Sequence, residues 1–273
     1  MSRDAPLATL RAAMQSWAGE AADDGRVTGP SLSVIVPMWN EADGLGRLAE
    51  EVLAAGGRLQ ASGAIGSFEL ILVDDGSTDS TETAARAWVE RDPHIRLVVH
   101  GENRGLGAAV RSGIQHASGD LVLYTDADLP ADLTAIDIAL ALCDDEPTAV
   151  VSAYRLSRRP DGWRRFVYSF VYNALVEVLF HLEVRDVNFA FKLLPADAVH
   201  GMGLRSEGSF IDVELLARAT KQGIPIRQFG VEYHPRLSGR STLSSVPVIL
   251  EILRELRSQR RELQGDDGAG TAP

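Results

Sequence analysis

Apolar and polar positions alternate in blocks along most of this chain. LSVIVP (32–37), FELILVD (68–74), IRLVVH (95–100), LVLYTD (121–126) and AVVSAYR (149–155) are short apolar runs rich in β-formers. Between them lie ADGLGRLAEEVLAAG (42–56), STETAARAWVERD (80–92), GLGAAVRSGIQHA (105–117) and LTAIDIALALC (133–143), whose apolar residues recur at helical spacing. Continuously apolar strands separated by helices predict an α/β fold with a mostly parallel central sheet covered by helices on both faces. Ligands of such sheets sit beyond the carboxyl ends of the strands. There the sequence places PMWNE, DDGSTD, GENRG and DAD, after the first four strands in turn.

The second half is patterned differently. FVYSFVYNALVEVLF (166–180) reads as a helix, apolar around most of its circumference, with Ser169, Asn173, Glu177 and His181 forming a narrow polar stripe. Two readings stay open: a helix buried against the sheet or a dimer partner, and a helix lying in a membrane surface with WRR (163–165) facing phosphate head groups. FIDVELLARATKQG (210–223) predicts a helix with Asp212 and Glu214 near its start, where acids suit the helix dipole. A strand, FGVEY, precedes the Gly/Ser-rich loop YHPRLSGRST (233–242), and the segment 244–264 predicts an amphipathic helix ending in arginines. Residues 1–30 read as a leader and polar linker with a short Ala-rich helix over 5–18, and 265–273 as a disordered tail. One domain over 31–243 remains.

Composition narrows the setting. The 273 residues are 45% hydrophobic and 24% charged, an ordinary balance for a globular protein with a sizeable core. A net charge of −11 argues against nonspecific nucleic-acid binding. Basic clusters nevertheless gather in the second half, at 155–159, 163–165, 236–240 and 254–263. The single cysteine, Cys143, offers no disulfide framework, so a reducing cytoplasm is the natural setting. No signal peptide and no run of about 18 uncharged apolar residues is evident, so no membrane span is predicted.

Three stretches carry candidate chemistry. VDDGSTDST (73–81) ends a strand in two carboxylates, turns at a glycine, and supplies Ser, Thr and Asp to cap the next helix. Capping leaves Asp74 and Asp75 over, and one of them could hydrogen-bond a base or ribose. In GENRGLGAAVRSG, Gly105 and Gly107 stand at a helix start, where backbone N–H groups can approach an anion. They follow the third strand rather than the first, which argues against a dinucleotide fingerprint. Asp126 and Asp128 end the fourth strand with one residue between them. Such carboxylates repel unless they form a solvated turn or share a divalent cation, and Mg²⁺ is typically held by one or two carboxylates plus substrate phosphates. Asp132 belongs to the start of the following helix.

VIVPMWNEADGL, LVDDGSTDST, NRGLGAAVRSG and YTDADLP, in this order and spacing, resemble glycosyltransferase family 2, the inverting enzymes of the GT-A fold. The likeness covers about residues 32–243 and is strongest to the polyprenyl-phosphate sugar synthases, the dolichyl-phosphate mannose synthases among them. It implies a nucleotide-binding half over 31–130, where Pro37, Trp39, Glu41 and Asp75 hold the nucleotide. Asp126 and Asp128 would hold Mg²⁺ or Mn²⁺ on its diphosphate, and Arg236 and Arg240 would close over that diphosphate on a flexible loop. It also implies an acceptor-binding half over 131–243, in which Arg155, Arg165 and Ser169 receive the acceptor phosphate. Asp186, in RDVNFAFKLL, would position acceptor or donor sugar, although NFAFK stands where an SGFR-like stretch is usual. If the acceptor is instead a hydroxyl, Asp212 or Asp186 is the candidate base, Asp212 matching the position of the general base in hydroxyl-accepting relatives. The resemblance thus implies a nucleotide-diphosphate sugar donor, a polyprenyl phosphate or other acceptor, and a peripheral position on the inner membrane face. A homodimer or a membrane-protein partner stays open, as does an inactive nucleotide-binding scaffold.

Overall fold

The computed structural model describes residues 29–156, 180 and 182–233. Expectations for the leader, for the helix-like segment other than Phe180, and for everything after Tyr233 fall outside these residues.

The elements run β1 (Ser31–Met38), α1 (Ala42–Ala61), β2 (Ser67–Asp74), α2 (Thr81–Arg91), β3 (Ile95–Val99), α3 (Leu106–His116), β4 (Leu121–Thr125), α4 (Ala135–Asp145), β5 (Val150–Arg155), β6 (Phe191–Pro195), α5 (Ala196–Gly201), α6 (Ile211–Lys221) and β7 (Ile226–Val231). They form one seven-stranded sheet in the order β3-β2-β1-β4-β6-β5-β7. β1 pairs in parallel with β2 and with β4, as does β2 with β3 and β5 with β7. β6 runs antiparallel between β4 and β5. The sheet is therefore mostly parallel, as the sequence predicts, with one reversed strand that the apolar pattern did not reveal.

Helices cover both faces because the central strands β1, β2 and β4 are apolar on both. On β1, Leu32, Val34 and Val36 pack into one core with Leu45, Leu48 and Val52 of α1. Ile35 points the other way, into a second core with Val110 and Ile114 of α3 and Leu215 and Leu216 of α6. Each fully buried aliphatic side chain contributes roughly 1.5–3 kcal/mol, which holds the strands, and so the loops beyond them, in place. No helix among the described residues is long and apolar enough to cross a membrane.

Candidate active site

β1 lies between β2 and β4, and the chain leaves it in one direction through α1 before returning through α3 to its other side. At such a switch point the loops diverge and leave a crevice at the carboxyl edge of the sheet. Pro37 and Met38 end β1 there, and the Trp39 ring is 50% exposed beside them.

The first two loops are tied together. Asn40 adopts a left-handed backbone, φ 57°, which asparagine tolerates better than most residues. Its N–H donates to Ser77 Oγ at 2.9 Å, and its Oδ1 accepts from Thr78 N–H at 2.8 Å and Asp79 N–H at 3.3 Å. Glu41 N–H donates to Thr81 Oγ1 at 2.9 Å. Asp79 in turn accepts from Thr81 N–H at 2.9 Å just ahead of α2, whose N-cap, Ser80, makes no side-chain capping hydrogen bond. Asp74 accepts from Ser77 through both its backbone N–H and its hydroxyl. Sequence reasoning named Pro37, Trp39 and Glu41 but missed Asn40, whose signal was an Asn between a strand and a helix start.

Asp75 is buried at the end of β2, with its N–H bonded to Met38 O at 2.8 Å. Its Oδ1 accepts from His100 Nδ1 at 2.6 Å and Arg104 N–H at 3.0 Å; its Oδ2 accepts from Gly105 N–H at 2.8 Å. The anion that meets the glycine-rich helix start is the protein's own Asp75, which accepts from Gly105 N–H. Close packing against the 205–208 loop fills the space beside it. Ala108 N–H donates to Glu207 O at 3.2 Å, and a Cβ on Gly105 or Gly107 would stand 2.5 Å from Glu207 O or 2.4 Å from Ser206 O. The 205–208 loop is held there by buried Glu214, which accepts from Ser206 N–H at 2.7 Å, Arg205 N–H at 2.9 Å and Arg218 Nε at 2.7 Å.

Asp126 and Asp128 sit on a tight turn in which Leu129 N–H reaches Asp126 O at 3.1 Å. Ala127 and Leu129 are buried in the first core, while Asp126 and Asp128 between and beside them are half-buried. Leu129 has φ 49°, a strained value for a branched residue, of the kind found where a site over-determines its backbone. From α1, Arg47 Nη2 donates to Asp128 O at 3.2 Å. Among the described residues no group of three or more His, Cys, Asp and Glu is arranged to hold a metal. Two carboxylates on one turn fit a hard divalent cation whose remaining ligands are diphosphate oxygens and water. Asp132, the third acid, accepts from Thr134 N–H at 2.7 Å ahead of α4, as predicted.

On the other side of β4, the antiparallel register sets Tyr124 opposite Lys192 and Thr125 opposite Phe191. Burial, followed by the negative charge of Asp212 and Asp126, pushes the Tyr124 hydroxyl well above its ordinary 10.0. Lys192 Nζ donates to Asp212 Oδ1 at 2.5 Å and to Phe189 O at 2.8 Å. Burial raises the Asp212 carboxyl, opposed by the charge of Lys192. Nearby, Arg155 Nε and Nη2 grip Asp186 Oδ2 and Oδ1 at 2.7 and 3.1 Å. The Arg155 guanidinium also faces the rings of Tyr233 and Phe189 at 5.3 and 5.9 Å. The structure thus couples Asp186 with Arg155 and brings Asp212 beside Tyr124. Sequence reasoning missed Lys192; its signal was one cation in the apolar run FAFKLL. Arg165, Ser169, Arg236 and Arg240 lie outside the described residues.

Residues 33–208 match the family described as Glycosyl transferase family 2. The chain belongs to that family. A dolichyl-phosphate beta-glucosyltransferase of Mus musculus is 30% identical over 216 residues, covering 74% of this chain and 67% of that protein. The glycosyltransferase AglD of Haloferax volcanii is 27% identical over 213 residues, 76% of this chain but 34% of its own length. This chain therefore spans between a third and two thirds of these two relatives. Among solved structures, the mannosyltransferase PcManGT of Pyrobaculum calidifontis, in complex with GDP-Man and Mn²⁺, superposes with a TM-score of 0.59 at 23% identity, covering 98% of this chain and 73% of that one. Glucosyl-3-phosphoglycerate synthase of Mycobacterium tuberculosis, in complex with UDP, gives 0.62 at 22% identity, covering 96% and 85%. The fold is that of the GT-A glycosyltransferases.

Proposed function

We propose that this chain is a metal-dependent inverting glycosyltransferase that moves a sugar from a nucleotide-diphosphate sugar to a polyprenyl phosphate of the dolichyl type. The observation that carries the choice of acceptor is the state of the two candidate bases. Asp212 is matched with Lys192 and Asp186 with Arg155, and each carboxylate side chain is 5% exposed. A hydroxyl acceptor needs a base to take its proton. A phosphate monoester is already ionised near neutral pH and needs none. The name of the mouse relative, a dolichyl-phosphate glucosyltransferase, supports the same acceptor.

In this reading Trp39, with Pro37, Glu41 and Asp75, receives the nucleoside at the β1–β2 edge. Asp126 and Asp128 hold Mg²⁺ or Mn²⁺, which offsets the charge of the diphosphate; Mn²⁺ in the PcManGT complex is consistent with this. Arg236 and Arg240 close over the diphosphate from their loop. Arg155, oriented by Asp186, receives the acceptor phosphate together with Arg165 and Ser169. An oxygen of that phosphate attacks the anomeric carbon, the bond from this carbon to the diphosphate oxygen breaks, and the nucleoside diphosphate leaves with the electron pair. Donor and acceptor halves divide near residue 130. The protein works at the cytoplasmic face of a membrane, where its lipid acceptor lies.

The test is incubation of the full chain with labelled nucleotide sugars, Mg²⁺ or Mn²⁺, and a short-chain polyprenyl phosphate. Label is expected in the organic extract with at least one donor; none with any donor would overturn the lipid acceptor.

A further inference from the structure

Four charges stand together on the acceptor side. Arg155 grips Asp186, Lys192 pairs with Asp212, and Asp186 is near enough to Asp212 for its charge to act on that carboxyl. Of the four, Arg155 is the one that opens to solvent: its side chain is 26% exposed, against 5% for each acid and 0% for Lys192. Lys192 lies in register between Tyr124 and Ser152, and neither of those hydroxyls has a hydrogen-bond partner among the described residues. The ammonium instead donates to Asp212 Oδ1 and to Phe189 O, at 2.5 and 2.8 Å. The second bond is the one that reaches the site. Phe189 O also accepts from Phe191 N–H at 2.9 Å, and Phe189 N–H donates to Asp186 O at 3.2 Å. Lys192 therefore holds the far end of the turn that begins at Asp186. A buried ion pair is often no more stabilising than apolar residues of similar volume, so core packing alone does not account for this lysine.

We infer that Lys192 is a positioning residue for the acceptor phosphate: by anchoring Phe189 O it fixes the 186–189 turn, and through Asp186 it aims the Arg155 guanidinium. The inference rests on the proposed role of Arg155 in receiving that phosphate. Direction passes along this chain because the Arg155–Asp186 contact is two-pronged, Nε on one carboxylate oxygen and Nη2 on the other. The Phe189 ring, carried by the same turn, faces the guanidinium at 5.9 Å. Asp212 is then the counter-ion that keeps the ammonium in place, not a base. Lys192 is sealed from solvent and touches no substrate, so it acts wholly through these neighbours. Asp126 and Asp128 stand on a separate turn, closed by Leu129 N–H on Asp126 O, and the donor side does not share the anchor.

The double variant Lys192→Met, Asp212→Leu tests this, because it removes the anchor and leaves the net charge of the cluster unchanged. Two quantities are read on the full chain: kcat/KM for a short-chain polyprenyl phosphate, and the Mn²⁺-dependent affinity for whichever of UDP and GDP the wild type binds. The acceptor kcat/KM is expected to fall by about 10–10²-fold, through a raised KM, the scale of a misplacement near 1 Å. The nucleoside diphosphate affinity is expected to hold. A wild-type acceptor kcat/KM in the folded double variant, or equal losses on both sides, would overturn the positioning role and leave the glycosyltransferase reading standing. If the wild type transfers sugar from no donor to the phosphate, the acceptor reading fails and the inference with it. Should the double variant not fold, amide exchange of the wild type decides. The short-chain polyprenyl phosphate is expected to slow exchange over 186–192, and no change there would contradict the inference.

Discussion

Lys192 Nζ stands 2.5 Å from Asp212 Oδ1, an ion pair with a fully buried lysine that joins the one reversed strand to the first turn of α6. Removing one partner of such a pair leaves a buried charge without compensation, whereas removing both is often nearly neutral. Lys192→Met is therefore expected to lower the unfolding free energy by about 3–5 kcal/mol. The double variant Lys192→Met, Asp212→Leu should recover most of that loss in urea titrations. A double variant as unstable as the single one would mean that Lys192 acts through packing alone.

The turn that carries Asp126 and Asp128 is fixed by buried Ala127 and Leu129, so changing one acid should leave the fold intact. Asp128→Asn is expected to cut turnover by about 10²–10³-fold, the scale of losing a preorganised electrostatic group. It should also abolish the Mn²⁺-dependent thermal shift given by a nucleoside diphosphate. An undiminished shift would remove Asp128 from the metal site.

Gly105 combines φ 94° with a site where Cβ would lie 2.5 Å from the Glu207 carbonyl oxygen. Gly105→Ala should cost at least about 1–3 kcal/mol and loosen the loop that Asp75 holds. Gly57, inside α1 with open space around it, gives the contrast: Gly57→Ala should stabilise by about 0.4–1 kcal/mol. Midpoints of chemical denaturation check both signs.

Acid should destabilise the protein through Glu69 on β2 and Asp120 just ahead of β4. Burial pushes Glu69 up, but hydrogen bonds from Ser33, Arg96 and Ser118 outweigh it and hold the carboxyl below its ordinary 4.5. Hydrogen bonds from Ser31 hold Asp120 below its ordinary 3.8. A carboxyl depressed by folding stabilises the protein above its unfolded value, and that stability is lost as pH falls through the folded one. Asp212, raised by burial, shifts stability the opposite way over the acid range, so the Glu69 part is isolated by comparison with Glu69→Gln. Wild-type stability should fall below pH 4.5 more steeply than that of Glu69→Gln; parallel curves would contradict the assignment.

β1, β2 and β4 were legible because they are apolar on both faces, and the site loops followed from where those strands end. β6 was not, because FKLLP is short and contains a lysine, and nothing local says that it runs against its neighbours. The same gap hid Lys192, whose partner lies 20 residues away on another element. Asp126 and Asp128 were readable as neighbours in sequence. The partners of Asp75 were not, since Arg104 and Gly105 come from a loop 29 and 30 residues on. A glycine-rich helix start signals an anion, but sequence cannot say that the anion is already present in the fold.

An acceptor that arrives ionised needs no protein base. Comparing a short-chain polyprenyl phosphate with the same polyprenol lacking phosphate, in Mn²⁺ with the full chain and a nucleotide-sugar donor, decides it. Rapid, organic-extractable sugar transfer to the phosphate is expected, and none above background to the alcohol. Comparable transfer to the alcohol would contradict it and would return Asp212 or Asp186 to the role of base.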